Sequence, residues 1–139
     1  MSVDSTGMAA RLGIKPGMVV QELGWDDDAD EDLRDAVIDL SGSEMVDEDT
    51  DEVADVVLMW WREDDGDLVD ALVDAGTSLA DDGVVWLLVP KSGRPGHVEP
   101  GDVTEAAPTA GLTQTSSVSA AKDWSGIRLV TPKAARSRR

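Results

Sequence analysis

The chain contains no cysteine, no phenylalanine and no tyrosine. Without a thiol it can hold no disulfide, no thiolate nucleophile, no zinc–sulfur site and no iron–sulfur cluster. Asparagine is also absent, and histidine occurs once, at His97. Positive charge is scarce: 12 Lys and Arg stand against 29 Asp and Glu, for a formal net charge of −17. Such a balance repels DNA and RNA, whose binding needs a basic face that releases counterions, and it disfavours an anionic membrane surface. No apolar run is long enough to span a bilayer. The first ten residues lack a basic stretch followed by an apolar one, so no secretory signal is expected. With neither signal nor cysteine, the cytoplasm is the expected compartment.

What is present is enough for one α/β domain. A length of 139 residues suits a single core. The expected division is a flexible lead-in over 1–11, a domain over 12–132 and a disordered basic tail over 133–139. Residues 18–23 read as a strand ending at Gly24. The acidic run Asp26-Asp27-Asp28-Ala29-Asp30 suits a helix N-terminus, where carboxylates cap free N–H groups and oppose the dipole. Leu33, Ala36, Val37 and Leu40 recur at helical spacing, and Gly42 stops that helix. Residues 44–47 suggest a short second strand.

Val56 to Trp61 and Val84 to Val89 are unbroken apolar runs, as expected of strands covered on both faces. Between them, Leu68, Val69, Leu72, Val73 and Leu79 mark a helix ended by Asp81-Asp82-Gly83. Lys91 to Gly101 is a loop. A short helix over 102–110 is interrupted by Pro108 and capped by Gly111. Strands over 112–119 and 127–130 then flank a turn at 123–126. This order predicts a truncated Rossmann-like, mostly parallel sheet with helices on both faces and a C-terminal antiparallel strand pair. Residues 18–23 should lie beside 54–61, with 84–89 in the same sheet.

Two resemblances rest on these residues. Pro16 to Gly24, with Glu22 two places before Gly24, resembles the opening strand of class I S-adenosylmethionine-dependent methyltransferases. Asp55-Val56-Val57-Leu58 is similar to that family's fourth strand, and Leu79 to Leu87 to its helix-turn-fifth-strand unit. The resemblance implies a nucleotide-cofactor fold, with Glu22, Gly24 and Asp47 as the cofactor-site positions. The chain departs from the pattern after Gly24. Where that loop needs further glycines for close backbone approach, it has Trp25, Asp26, Asp27 and Asp28. No cofactor is therefore expected, and S-adenosylmethionine is expected not to bind usefully.

The second resemblance covers the whole chain. Leu12 to Gly17, Trp60-Trp61-Arg62, Asp67 to Leu72, Gly96 to Pro100 and Asp123 to Gly126 resemble an actinobacterial family of small acidic proteins, domain of unknown function 3052. It implies an actinobacterial cytoplasmic protein and supplies no catalytic residue.

Other constellations carry less. Asp26, Asp28 and Asp30 begin like a calcium loop, but Glu31 and Val37 stand where glycine and glutamate are needed, so no metal is expected. His97 has no nucleophile signalled beside it, so no catalytic residue is assigned. Lys91, Arg94 and His97 follow an apolar strand, where α/β sheets gather ligands, and form the compact positive spot of an acidic chain. Trp60 and Trp61 must point to opposite faces; core or sheet-edge packing is their favoured role, and the alternative is that one is partly exposed and flanks the same crevice. Trp86 is expected in the core.

The reading that follows is a non-catalytic binding or regulatory module that binds another protein or a small anionic ligand through Lys91, Arg94, His97, Trp60 and Trp61. The alternative is a divergent nucleotide-cofactor enzyme such as a methyltransferase. The enzyme needs an open pocket beyond Gly24 with acids placed for a ribose. The binding module should have that space filled by Trp25 and loop side chains.

Overall fold

The computed structural model describes residues 8–49, 52–77 and 79–131. The expected tail over 133–139 lies outside them. Of the expected lead-in, residues 8–11 form a helical turn with Ala9 fully buried, and 1–7 lie outside the described residues.

Five strands form one sheet: β1 (Val20–Leu23), β2 (Ala54–Trp60), β3 (Leu79–Pro90), β4 (Thr113–Ser119) and β5 (Trp124–Val130). Their order across the sheet is β1-β2-β3-β5-β4. β1 runs parallel to β2, and β2 parallel to β3. β5 is antiparallel to both its neighbours, which makes the C-terminal pair antiparallel as expected. Three helices cover the faces: α1 (Glu31–Ser41), α2 (Leu68–Thr77) and α3 (Pro100–Thr109). The mostly parallel Rossmann-like architecture is the one the apolar runs required.

Alternation along β2 and β3 divides the core in two. Val57, Met59, Val85, Leu87 and Val89 face α2 and α3, through Leu72, Ala75, Val103 and Ala107. Val56, Leu58, Trp60, Trp86 and Leu88 face α1, through Leu33 and Val37, together with Leu12 and Ile14. Residues 56–60 and 85–89 are therefore buried whichever way they point, which is why these segments show no polar alternation. Trp86 is buried, and its indole N–H donates to Leu12 O at 2.9 Å, pinning the N-terminal segment to the sheet.

Several boundaries differ from expectation. The helix expected to carry Leu79 ends at Thr77, and Leu79 pairs with Ala54 as the first residue of β3. The register then jumps to Val56↔Val84, so residues 80–83 bulge out between two pairs. The apolar period could not show this, because Leu79 fits either a helix face or a strand. The expected strand at 44–47 is reduced to one bridge, Gln21↔Val46. The turn expected at 123–126 lies earlier, since β5 begins at Trp124.

α1 begins as its sequence demands. Asp30 Oδ1 accepts the Leu33 N–H at 2.8 Å, and Gly42 ends the helix with a left-handed φ of 87°.

A candidate binding cleft at the carboxyl ends of β1 and β2

After β1 the chain passes to the outer side of that strand, at Val46, and then returns to lay down β2 on the other side. The crevice beyond β1 and β2 is thus the topological switch point, where open α/β sheets bind ligands. Gly24 closes β1 there with φ 74°, and a Cβ on it would sit 2.3 Å from Trp60 O. Only glycine allows the two strand ends to meet so closely.

One carboxylate organises the inner wall. Glu22 accepts from Arg34 Nε at 2.5 Å and from an Arg34 terminal nitrogen at 2.7 Å, a two-pronged grip from α1. The Trp60 indole N–H donates to the same Glu22 at 2.9 Å. The Glu22 hydrogen bonds, with a smaller share from Glu31, raise the Arg34 pKa above its ordinary value against the cost of burial.

A second cation holds the crevice itself. Arg62 follows β2 and donates to Gly24 O at 2.7 Å, to Trp60 O at 3.3 Å and to Asp65 at 3.3 Å. Its other two nitrogens grip both oxygens of Asp28. The guanidinium lies 5.2 Å from the Trp124 ring centroid, a cation–π distance. Burial works against the Arg62 charge, but the Asp28 and Asp65 bonds outweigh it and raise its pKa. The Arg62 hydrogen bond in turn holds the Asp28 carboxyl below its ordinary 3.8.

Beside this clamp an open cleft of about 690 Å³ extends toward α2. Met59 and Trp61 line it, with Trp25 at its edge. Its charged lining is acidic apart from Arg62: besides Glu22 at the inner wall it has Asp26, Asp47, Glu48, Asp65 and Asp74. The filled crevice expected of a binding module is not what the structure has: the space is open and acid-lined, as expected of the enzyme alternative, and Trp25 does not fill it. This indole is half exposed, and its N–H donates to Glu31 at 3.2 Å, outside the crevice.

The predicted site residues separate into two groups. Glu22, Gly24, Asp47, Trp60 and Trp61 all line this cleft. Lys91, Arg94 and His97 do not. Arg94 lies 3.3 Å from Asp123, beside a hollow of about 320 Å³ that also contains Asp28 and Trp124. His97 Nδ1 donates to Pro90 O at 2.9 Å, and its other nitrogen is 3.7 Å from Glu99. Trp60 and Trp61 are both buried, because each face of the sheet carries a helix layer; this agrees with the favoured core packing and corrects the expectation that an exposed indole of the pair would serve as a partner contact. The tryptophan that flanks Arg94 is Trp124.

Arg62, Asp28 and Trp124 were not among the site residues expected from the sequence. The available signal was that Arg62 is the one cation between Arg34 and Lys91, placed where a buried strand ends. The aspartate run also resolves into separate tasks: Asp28 grips Arg62 and Asp30 caps α1. Among the described residues no group of three or more His, Asp or Glu is placed to hold a metal ion. No helix among them is long and apolar enough to cross a membrane.

Comparison with known structures places the fold among S-adenosylmethionine-dependent methyltransferases. An enzyme of that class from Aquifex aeolicus superposes with a TM-score of 0.62 over 91% of this chain and 88% of its own, at 14% identity. A TehB-like one from Corynebacterium glutamicum gives 0.55 over 92% and 88%, also at 14%. At such identity the likeness is one of fold alone. The chain belongs to the family described as protein of unknown function DUF3052, whose model matches residues 9–133. Its relatives include the uncharacterized protein Rv2239c of Mycobacterium tuberculosis and Mb2263c of Mycobacterium bovis. Each is 54% identical over 135 residues, covering 97% of this chain and 85% of the relative.

Proposed function

We propose that this chain is a non-catalytic binding module, and that its cleft receives a basic group from a protein partner. The observation that carries the reading is the Arg62 clamp. Group transfer needs two reacting atoms to meet over the strand ends, and one wall of the open cleft there is a guanidinium committed to Gly24, Trp60, Asp28 and Asp65, with no nucleophile or general base brought beside it among the described residues. The residues do not fit S-adenosylmethionine. Glu22, the acid before the glycine, already accepts three hydrogen bonds, and Trp25 and the aspartates replace the glycines that close approach requires.

The open part of the cleft is ringed by five carboxylates, which repel phosphates and carboxylates and attract a cation. Trp25, half exposed at the rim, is the kind of side chain that anchors an interface. The reading moves the working surface from the 91–97 loop to the cleft, since Arg94 already faces Asp123.

Two titrations of the full chain test it. Calorimetry with S-adenosylmethionine should show no saturable binding in the micromolar range, and low-micromolar binding would restore the enzyme reading. A fluorescein-labelled tri-arginine peptide should bind in low salt and lose affinity in Asp47→Asn/Asp74→Asn. Asp32→Asn/Asp35→Asn, on α1 away from the cleft, should bind it as the unaltered chain does. Equal losses in both variants would reduce the binding to general charge attraction and remove the cleft.

A further inference from the structure

We infer that a second site, at the opposite end of the sheet, takes an amphipathic organic anion: a carboxylate or sulfonate head on an apolar body. A crevice of about 420 Å³ lies at the amino ends of β2 and β3, on the face that α1 covers. α1 does not reach this part of the sheet, and the crevice is walled by residues 11–18 and by one face of β4 and β5. Its floor is apolar: Met18, Val56, Val84, Trp86 and Val118.

Its rim contains three of the chain's few cations, Arg11, Lys15 and Arg128, with the Ser116 hydroxyl. Among the described residues, the side chains of Arg11 and Lys15 make no hydrogen bond or ion pair, whereas Arg34, Arg62 and Arg94 each face a carboxylate. Arg128 donates to Thr115 Oγ1 at 3.1 Å, which steadies it across the β4–β5 pair without neutralising it. Two carboxylates also line the crevice. Asp55 is engaged, accepting the Val19 N–H at 2.9 Å, and Asp82 stands at the exposed edge.

In a body of net charge −17, three cations against two carboxylates, with Arg11 and Lys15 unpaired among the described residues, create a local reversal of sign. A fully polar anion would leave the apolar floor wet, and an uncharged apolar ligand would gain nothing from the rim. An amphipathic anion satisfies both, burying its body against Val56, Val84 and Val118 and meeting Arg11 and Lys15 with its head. The wall is rigid where it matters, because the Trp86 indole donates to Leu12 O and ties the 11–15 segment to the sheet. This site is independent of the acidic cleft and would stand if that cleft bound nothing.

The probe is 8-anilinonaphthalene-1-sulfonate, whose fluorescence rises on burial, titrated into the full folded chain. Saturable binding at one equivalent is expected, with displacement by decanoate and not by equal concentrations of inorganic phosphate. Arg11→Glu/Lys15→Glu should weaken the probe by about tenfold or more, with an unchanged thermal transition, since both side chains are exposed and make no ion pair among the described residues. Val118→Trp, which adds bulk to a half-buried floor position, should weaken it independently of charge. Affinity unchanged in both variants, or no saturable binding, would overturn the site. Displacement by phosphate as effective as that by decanoate would overturn the amphipathic class of ligand.

Discussion

Glu22 and Arg34 are locked together by two hydrogen bonds of 2.5 and 2.7 Å, joining β1 to α1. The Glu22 side chain is only 9% exposed, so water cannot replace a lost partner. Glu22→Gln should therefore destabilise the fold by about 1–3 kcal/mol, because the half-buried Arg34 charge keeps only the exposed Glu31, 2.8 Å away, as an anionic partner. Urea denaturation checks this. A loss under about 0.5 kcal/mol would mean the pair behaves as a surface ion pair.

Gly24 and Gly17 share a left-handed backbone but not their surroundings. A Cβ at Gly24 would meet Trp60 O at 2.3 Å, whereas at Gly17, with φ 86°, nothing lies within 4 Å. Gly17→Ala should cost about 1–2 kcal/mol, for the backbone conformation alone. Gly24→Ala should cost at least about 2 kcal/mol more, since backbone has to move away from backbone. Equal losses in parallel thermal melts would show that the β1–β2 end contact is loose.

Asp28 links pH to stability. Its carboxyl pKa is depressed by the Arg62 hydrogen bond from an ordinary 3.8, so the folded state favours the ionised form. That stability is present above the unfolded pKa and is lost as pH falls through the depressed one. Asp28→Asn should lower stability near neutrality by about 1 kcal/mol or less, because the Asp28 side chain is 54% exposed and screened. Between about pH 5 and about pH 3 the variant should then lose less stability than the unaltered chain. Urea midpoints at the two pH values decide it, and identical drops would remove Asp28 as a contributor.

Self-repulsion is the remaining global term. Residues 26–55 contain 15 of the chain's acids and one base, and the chain carries −17 overall. Raising sodium chloride from about 0.05 to about 0.5 M should raise the melting temperature, because the Debye length falls below typical charge separations. A fall in melting temperature would mean that the Arg34 and Arg62 pairs outweigh the repulsion.

The site was only partly legible. Glu22, Gly24 and Asp47 could be picked out because a strand ending in an acid, one spacer and glycine is a local pattern, and the structure brings them to one cleft. Arg62 was passed over because its partners, Gly24, Asp28 and Asp65, are 38, 34 and 3 residues away, and the distant two carry the clamp. The loop from Lys91 to His97 looked like a concentrated positive spot in sequence. In space, Asp123 approaches Arg94 and Glu99 approaches His97, which spreads that charge out.

The sequence by itself determined the sheet and its two covers. Unbroken apolar runs at 56–61 and 84–89, short, rich in valine and tryptophan and bounded by turn residues, mark strands buried on both sides, and Leu33, Ala36 and Val37 recur at helical spacing. Those are local periods, decided by burial within a few residues. Tertiary structure alone decided the bulge at 80–83, the burial of Trp60 and Trp61, and the division of the charges into an Arg62 clamp, an acidic cleft and a basic crevice. Each of these depends on which strand ends meet, and Coulomb and packing energies depend on distance in space, not on separation along the chain.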